Sequence, residues 1–370
     1  MKLGILVATA LLASWSSFAN EYVWNLPRGF PQPRVPEENP MTAAKVELGR
    51  YLFYDKRLSS NGQSSCATCH RQELAFTDGR AVAIGTTGEL HPRGTMSLVN
   101  VAYSAVLTWS NPGLQELEDQ MLIPMYGTNP TELGLSRGDD WLKGLRAVAL
   151  YRDLFAKAFP TEREPFTRRN VVFAIACFER SIISARSPYD RYHYGGDDTA
   201  VSESGKRGEI LFFSQNLACF RCHGGFYFSE GTTSAARAPH EIEFHNTGLY
   251  NVRGAISYPA PNVGTFEFTK SAKDVGKFKA PTLRNIALTA PYMHDGSIAT
   301  LEGVLDHYAA GGRTINGGPH AGVGHDNPNK DALIQGFPLS TGEREDLIHF
   351  LETLIDAEAL KDERFSNPWR

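Results

Sequence analysis

Two short segments of the 370-residue chain place a pair of cysteines directly before a histidine with the same spacing. They read Cys66-Ala67-Thr68-Cys69-His70 and Cys219-Phe220-Arg221-Cys222-His223. Cys-x-x-Cys-His is the motif of c-type haem attachment, in which two thioethers hold the porphyrin and the adjacent histidine binds the iron. Redox-active or zinc-binding cysteine pairs are the alternative, but they leave the histidine unexplained both times. The sequence therefore predicts two covalently attached haems.

The fifth cysteine, Cys177, is not part of such a motif. It lies in the uninterrupted apolar stretch 171–178, which is typical of a buried helix. A free cysteine in such a place behaves as a small hydrophobic side chain. We therefore expect a free thiol in the core.

The first residues have the layout of a secretory signal peptide. Lys2 precedes an apolar run over 3–12, and the small residues Ser17 and Ala19 follow, which predicts a signal peptide over residues 1–19. No later run approaches the roughly 18 uninterrupted apolar residues of a membrane-spanning helix. The formal net charge of -4 gives no basic footprint for nucleic acid. We expect an exported protein without a membrane span, periplasmic in a Gram-negative host.

Similar segments precede the two haem motifs. Residues 49–54 and 208–213 share the pattern Gly-x-x-Leu-Phe, which indicates an internal duplication in which each segment ends an amphipathic helix. The stretch 187–204, rich in Tyr, Gly and Asp, is the expected boundary between the halves. The predicted fold class is mainly α, with two cytochrome c-like haem domains over 20–190 and 191–370 and long loops.

Apolar spacing predicts further helices. Ser340 and Glu343 form a capping box for a last helix, which we expect to pack against the helix that precedes the haem. The other predicted helices span 41–54, 114–123, 139–159, 168–184 and 301–309, and Gly- and Pro-rich loops fill the remainder, notably 231–279.

Several segments resemble a known family. Residues 52–59, 75–79 and 280–297 are similar to the bacterial dihaem cytochrome c peroxidase and MauG superfamily, and the likeness runs through almost the whole mature chain. Within it, residues 244–251 and 306–315 are most similar to the MbnH-type dihaem enzymes. Those enzymes convert a tryptophan of a partner, the MbnP-type copper-binding protein, to kynurenine. The resemblance makes the N-terminal half the peroxidatic domain and the C-terminal half the electron-transfer domain.

What faces each iron opposite its motif histidine decides that haem's role. In the ordinary dihaem peroxidases, a histidine after a Gly-containing turn caps the first iron until the enzyme is reduced. The matching turn, residues 83–86, ends here in Thr86, a poor iron ligand. The resemblance therefore implies an open first haem that needs no reductive activation. His91 is the alternative cap, and is otherwise a loop residue.

For the second iron, the residues alone leave Met293, His307 and Tyr308 open as the opposite ligand. The resemblance selects Tyr308, because MauG-like enzymes place a tyrosine where the peroxidases place a methionine. A phenolate donates charge and favours high iron oxidation states, whereas a thioether raises the reduction potential. The second haem is therefore expected to store oxidising equivalents rather than collect electrons from a cytochrome.

The resemblance also assigns residues around and between the haems. It implies that Glu132 moves a proton between the two oxygens of peroxide, with Gln120 as its hydrogen-bonding companion, although the spacing between them is slightly longer than in the family. A loop glutamate is otherwise a solvated surface residue. Pro124 is implied to pack on the open face of the first haem. Trp109 is implied to relay electrons between the haems.

A calcium ion between the two halves is a further implication of the resemblance. Its ligands would be the side chain of Asn100 and the backbone carbonyls of Thr289 and Pro291. Oxygen-only ligation suits this hard ion. The alternative is that these Asn and Pro residues belong to an ordinary turn that binds no ion.

Taken with the resemblance, these residues imply a hydrogen peroxide-dependent dihaem oxidase that forms high-valent (bis-Fe(IV)) haems and oxidises a side chain of a partner protein. A dihaem cytochrome c peroxidase using an electron-donor cytochrome is the first alternative, against which Thr86 and Tyr308 argue. A dihaem electron carrier is the second. It requires both irons to be six-coordinate and makes Glu132 and Gln120 incidental.

Overall fold

The computed structural model describes residues 22–238, 242–254 and 256–369. The predicted signal peptide over residues 1–19 lies outside this part of the chain. Within it, helices joined by long loops prevail, and one pair of two-residue antiparallel strands forms the sheet. The mainly α class is therefore confirmed. None of these helices is long and apolar enough to cross a membrane.

The helices and strands of the described residues follow in chain order. They are α1 Ala43–Phe53, α2 Cys66–Cys69, α3 Leu117–Gln120, α4 Leu122–Tyr126, α5 Asp140–Arg146, α6 Ala149–Ala158, α7 Arg168–Ser181, α8 Pro188–His193, α9 Glu203–Phe212, α10 Phe220–His223, α11 Phe266–Thr269, α12 Leu301–Ala309, β1 Thr314–Ile315, β2 Gly322–Val323 and α13 Thr341–Glu352. The capping box of Ser340 and Glu343 is confirmed at the start of α13.

Two predicted helices are broken in the structure. The one expected over 139–159 divides into α5 and α6 because Val148 adopts an extended conformation, with φ -83° and ψ 118°. The one expected over 114–123 divides into α3 and α4, and α4 continues past residue 123 to Tyr126. Pro124 is tolerated because it lies in the first turn of α4, where its missing N–H has no intrahelical acceptor.

The two halves are built around equivalent helix crossings, α1 on α7 and α9 on α13. Each crossing passes over the glycine of a Gly-x-x-Leu-Phe segment. A Cβ on Gly49 would lie 1.9 Å from the carbonyl oxygen of Ala174, and one on Gly208 would lie 1.9 Å from that of Asp346. Because no side chain fits, the helix backbones touch. The predicted packing of the last helix against the one before the second haem motif is confirmed.

Aromatic rings repeat across the two cores. Phe53 and Phe178 pack with ring centroids 5.1 Å apart, and Phe212 and Phe350 repeat that contact at 5.1 Å. All four rings are buried, as is the free thiol of Cys177 in α7, which was expected in the core. At each crossing, a buried pair of phenylalanine rings therefore packs directly beside the glycine.

An asparagine in a left-handed conformation occurs at the same place in both halves. Asn100, with φ 57°, donates its backbone N–H to the carbonyl of Ile182 at 2.9 Å, and Asn285, with φ 60°, does the same to Leu354 at 3.0 Å. The Asn100 side-chain oxygen accepts the N–H of Ser184 at 2.8 Å, while the Asn285 amide donates to the Ser184 hydroxyl at 3.0 Å. The matched backbone contacts agree with the predicted internal duplication, and the two side-chain bonds join both halves at Ser184.

Residues beyond α13 return to the first core. Phe365 is buried in the cluster that contains α1 and α7. Its carbonyl accepts a hydrogen bond from the hydroxyl of Tyr54 at 2.6 Å. The ring of Trp369 packs edge-on against Tyr51 with centroids 5.1 Å apart. This segment therefore belongs to the second half by sequence and contacts the first core in space.

Alanine at either crossing is expected to lower the free energy of unfolding by about 1–3 kcal/mol, the usual cost of overpacking a tight interface. Thermal unfolding of the haem-loaded Gly49→Ala and Gly208→Ala variants measures this. Gly144→Ala is the control, since Gly144 is also helical but a Cβ there meets no atom within 4 Å. It should be neutral or slightly stabilising. Equal melting temperatures for all three variants would contradict the conclusion that the helix backbones touch at Gly49 and Gly208.

Candidate haem sites and the residues around them

The first Cys-x-x-Cys-His segment is held by short-range hydrogen bonds. The hydroxyl of Thr68 accepts the backbone N–H of Ser65 at 2.9 Å, which closes the start of α2 around Cys66 and Cys69. The Nδ1 of His70 donates to the carbonyl of Phe76 at 2.9 Å. That bond orients the ring and leaves Nε2 as the nitrogen that can bind a metal.

Thr86 and Glu132 lie side by side at this first site. The backbone N–H of Thr86 donates to the carbonyl of Glu132 at 2.8 Å. A Cβ on Gly85 would lie 1.9 Å from the carbonyl oxygen of Thr131, so the turn presses directly on the glutamate loop. The Thr86 hydroxyl oxygen is buried and has no hydrogen-bond partner among the described residues. The structure therefore joins two of the sequence-predicted residues in one place.

The Glu132 carboxylate faces the first motif. Its loss of hydration on burial raises its pKa to about 7. Burial also raises the pKa of the Cys69 thiol to about 11, and the charge of Glu132 adds to the rise at both Cys69 and Cys66. The Nε2 of His91 lies 3.9 Å from a Glu132 oxygen. A carboxyl group that ionises near neutral pH is suited to both giving and taking a proton.

The other two residues predicted for the first site are Gln120, in α3, and Pro124, in α4. They are four residues apart on a nearly continuous helical path, so their side chains lie on the same side. The carbonyl of Pro124 accepts the backbone N–H of Leu133 at 2.9 Å, which ties α4 to the residue after Glu132. The structure thus places α4 against the glutamate loop.

Trp109 lies between the two halves. Its indole N–H donates to the carbonyl of Gly94 at 2.9 Å, and its own carbonyl accepts the backbone N–H of Lys279 at 3.0 Å. Gly94 in turn donates its N–H to the carbonyl of His294 at 2.8 Å. The indole therefore touches backbone of the first half while its backbone is held by the second.

The second motif borders a large cavity. α10 carries His223. The Nδ1 of His223 donates to the carbonyl oxygen of Pro281 at 3.1 Å, and the carbonyl oxygen of Phe228 lies 3.4 Å from the same nitrogen. The cavity beside it has a volume of about 710 Å³, within the usual range for cofactor sites. Cys219 and Cys222 lie on its wall. The size of the cavity, and the two cysteines and the histidine on its wall, fit a covalently attached porphyrin.

Tyr308 faces these two cysteines from α12. Thr300 caps this helix, and Leu301, Val304, Leu305 and Tyr308 line the cavity with helical spacing. Burial raises the pKa of the Tyr308 phenol, and the Cys222 and Cys219 thiols add to the rise, because the hydroxyl lies near them. Of the other two candidate ligands, Met293 also lines the cavity, whereas His307 is not among its lining residues.

The three predicted calcium ligands occupy different surroundings. Asn100 is fully buried, and both ends of its side-chain amide bond the backbone of Ser184. Thr289 and Pro291 line the cavity of the second motif.

A charged cluster at the second motif was not assigned from the sequence. The Nδ1 of His245 bonds an Asp331 oxygen at 2.5 Å, and its Nε2 bonds a Glu230 oxygen at 2.5 Å, with the Cys222 sulfur 3.7 Å away. Burial disfavours the imidazolium, but the hydrogen bond to Asp331 and the other partners raise the His245 pKa to about 12. Cys222, Glu230 and His245 have metal-ligand types, but Cys222 belongs to the second attachment motif, and both ring nitrogens of His245 bond carboxylates. No spacing rule brings together residues 86 positions apart.

The two motifs lie in similarly built helical halves, an arrangement typical of a c-type cytochrome with two haems. A family model described as di-haem cytochrome c peroxidase matches residues 43–199. The methylamine utilization protein MauG of Methylorubrum extorquens is 34% identical over 95% of this chain and 88% of its own length. A cytochrome-c peroxidase of Pseudomonas sp. (strain SCT) is 32% identical over 97% of this chain and 93% of its own.

A solved structure agrees with these relatives. A crystal structure of a MauG-like protein associated with microbial copper homeostasis superposes with a TM-score of 0.92 and 48% identity, covering 94% of this chain and 100% of that one. The chain belongs to the dihaem cytochrome c peroxidase and MauG superfamily. It is therefore an oxidoreductase that acts on peroxide, and the family implies two c-type haems.

Removing the imidazolium of the charged cluster should destabilise the protein. His245→Gln is expected to lower the free energy of unfolding by about 2 kcal/mol at pH 7, the scale of hydrogen bonds to charged groups. Because the bond to His245 lowers the pKa of Asp331, this contribution is present above the ordinary pKa of an aspartate and is lost in acid. The difference in melting temperature should therefore shrink towards pH 3.

His320→Gln is the matched control for this variant, since His320 is exposed. It should unfold like the unaltered protein at every pH. A His245→Gln protein whose deficit is as large at pH 3 as at pH 7 would contradict the ion-pair explanation.

Proposed function

We propose that the protein is a hydrogen peroxide-dependent dihaem oxidase that oxidises a side chain of a partner protein, converting tryptophan to kynurenine. One observation carries the proposal. Glu132 and Thr86, joined by a 2.8 Å backbone hydrogen bond, lie at the first motif, so that a proton-transferring carboxylate accompanies a residue that is a poor iron ligand. Such a site admits peroxide without prior reduction.

The residues of the first site would divide the work as follows. Cys66, Cys69 and His70 hold the haem, which supplies the redox chemistry of peroxide when bound. The Glu132 carboxylate takes a proton from one peroxide oxygen and returns it to the other. Pro124, whose carbonyl bonds the residue after Glu132, would shape the pocket, and Gln120, four residues before it, would hydrogen-bond the carboxylate.

The second site would serve as the oxidant store. Cys219, Cys222, His223 and Tyr308 would hold its haem, Tyr308 on the basis of its position near both cysteines. Trp109, which contacts backbone of both halves, would pass electrons between the sites. The protein substrate would then be oxidised without entering the peroxide pocket.

The partner is proposed to be an exported copper-binding protein of the MbnP type. Support comes from the 48% identical MauG-like structure, which is described as associated with microbial copper homeostasis. Export to the periplasm, which such a partner requires, is proposed from the signal-like residues 1–19.

Two structural proposals accompany this function. Residues 20–190 form the peroxidatic domain and residues 191–370 the electron-transfer domain, supported by the duplicated helix crossings. A calcium ion between the halves is bound by Asn100, Thr289 and Pro291, supported by the buried position of Asn100 where both halves meet.

A dihaem cytochrome c peroxidase is the competing function. It is favoured by relatives that carry that name, including the 32% identical protein of Pseudomonas. It would draw electrons from a donor cytochrome and would not need a protein substrate. Thr86 and Tyr308 distinguish the two proposals, because the first removes the need for reductive activation and the second favours oxidant storage.

Peroxide added to the as-isolated diferric protein separates these functions. The absorption spectrum should change within seconds and without a reductant, because the first haem is open, and reduced cytochrome c should be consumed only slowly. Rapid turnover of cytochrome c would instead identify a peroxidase. A protein whose low-spin spectrum ignores peroxide would contradict both enzymes and leave an electron carrier.

Replacing the proposed proton-transferring group should slow this reaction. Glu132→Gln is expected to reduce the rate constant for peroxide by about 10²–10⁴-fold, the usual contribution of general acid–base catalysis. In the unaltered protein, only the carboxylate accepts a proton. With a pKa of about 7, the rate should therefore fall as the pH drops below 7, and this dependence should vanish in the variant.

Stopped-flow mixing with peroxide between pH 5 and 9 measures both effects. Glu47→Gln, the same change at an exposed position of α1, is the control and should keep the original rate and pH profile. A Glu132→Gln protein that matches this control would remove Glu132 from the mechanism.

A further inference from the structure

A buried lysine lies on the wall of the second cavity. Lys279 is only 8% exposed, and its ammonium donates to the hydroxyl of Ser104 at 3.0 Å and to the carbonyl of Val106. Ser104 and Lys279 both line the cavity. The backbone N–H of Lys279 bonds the carbonyl of Trp109 at 3.0 Å, and Trp109 lines the same cavity, so the lysine and the tryptophan are neighbours on this wall.

This ammonium has no counter-charge among the described residues. Within residues 22–238, 242–254 and 256–369, no ion pair includes Lys279. Its two acceptors are neutral oxygens, and an ammonium has three N–H donors, so one donor remains. Burying an unpaired cation is costly, and this cost lowers the Lys279 pKa to about 7.

The other cationic lysine and arginine side chains around the cavity are differently placed. Arg284 is paired with Asp190 through two hydrogen bonds of 2.9 Å. Arg80 and Arg221 are exposed to solvent. Among these lysine and arginine side chains, Lys279 is therefore the one that is both buried and unpaired, and it can bind an anion inside the cavity.

The anionic groups of a c-type haem are its two propionates. We propose that Lys279 binds a propionate of the second haem on the side of the cavity next to Trp109. The ammonium neutralises that carboxylate in a dry environment and fixes this edge of the porphyrin beside the tryptophan. A positive charge next to a haem favours its reduced state, because reduction adds an electron to the iron. Lys279 thus acts as a positioning residue that also sets the potential of the second haem.

The haem-loaded Lys279→Gln and Lys279→Arg variants test the proposal. Glutamine removes the charge but can still donate to Ser104 and Val106, whereas arginine keeps the charge. We expect Lys279→Gln to shift the midpoint potential of the second haem to more negative values in a spectroelectrochemical titration, and to shift the propionate bending band in resonance Raman spectra. Lys279→Arg should keep the midpoint potential and the propionate band close to those of the unaltered protein. Lys273→Gln, at an exposed position, should change neither.

A lysine with only a structural role would give a different result. Lys279→Gln would then carry two haems with an unaltered potential and propionate band, which overturns the proposal. The unaltered protein provides a test that needs no variant to fold. Transfer from H₂O to D₂O should shift the propionate band because its donor is an exchangeable N–H, and an unchanged band likewise overturns the proposal.

Discussion

Direct backbone contact between helices at two glycines is the constraint on which both halves of the protein depend. At Gly49 and Gly208 there is room only for hydrogen, so α1 lies against α7 and α9 against α13 without intervening side chains. Protein interiors are densely packed, and such a contact leaves the helix little freedom to shift. Since α1 and α9 end shortly before the haem motifs, the crossings hold the attachment cysteines at a defined place relative to each core.

On this repeated frame, the surroundings of the two motifs have diverged. The first faces a loop pressed against Thr86, where Glu132 ionises near neutral pH and a small polar molecule can meet a proton donor. The second faces the packed side of α12, with Tyr308 near its cysteines and the charges of His245 and Lys279 at its edge. One environment suits proton transfer to a diffusible reactant, whereas the other suits the retention of charge.

Local patterns in the sequence were sufficient for the haem motifs, the capping box of α13, the bounds of α12 and the duplication. They could not predict the break at Val148, because apolar residues keep a helical spacing on both sides of it. They also missed the pairing of His245 with Asp331 and the contact of Lys279 with Ser104. Those bonds join residues 86 and 175 positions apart, and only the tertiary fold decides which distant side chains share a buried space. Glu132 became a candidate through resemblance, since a loop glutamate carries no signal of its own.

The return of residues near 365 to the first core has a consequence for assembly. Phe365 and Trp369 pack on the helix that precedes the first motif, and α9 needs α13 to cover its own face. Neither core is complete until the chain beyond residue 340 has been made. Until then, the helix that precedes each cysteine pair lacks part of its packing partner. The two halves therefore complete their folding together, through the same stretch of chain beyond residue 340.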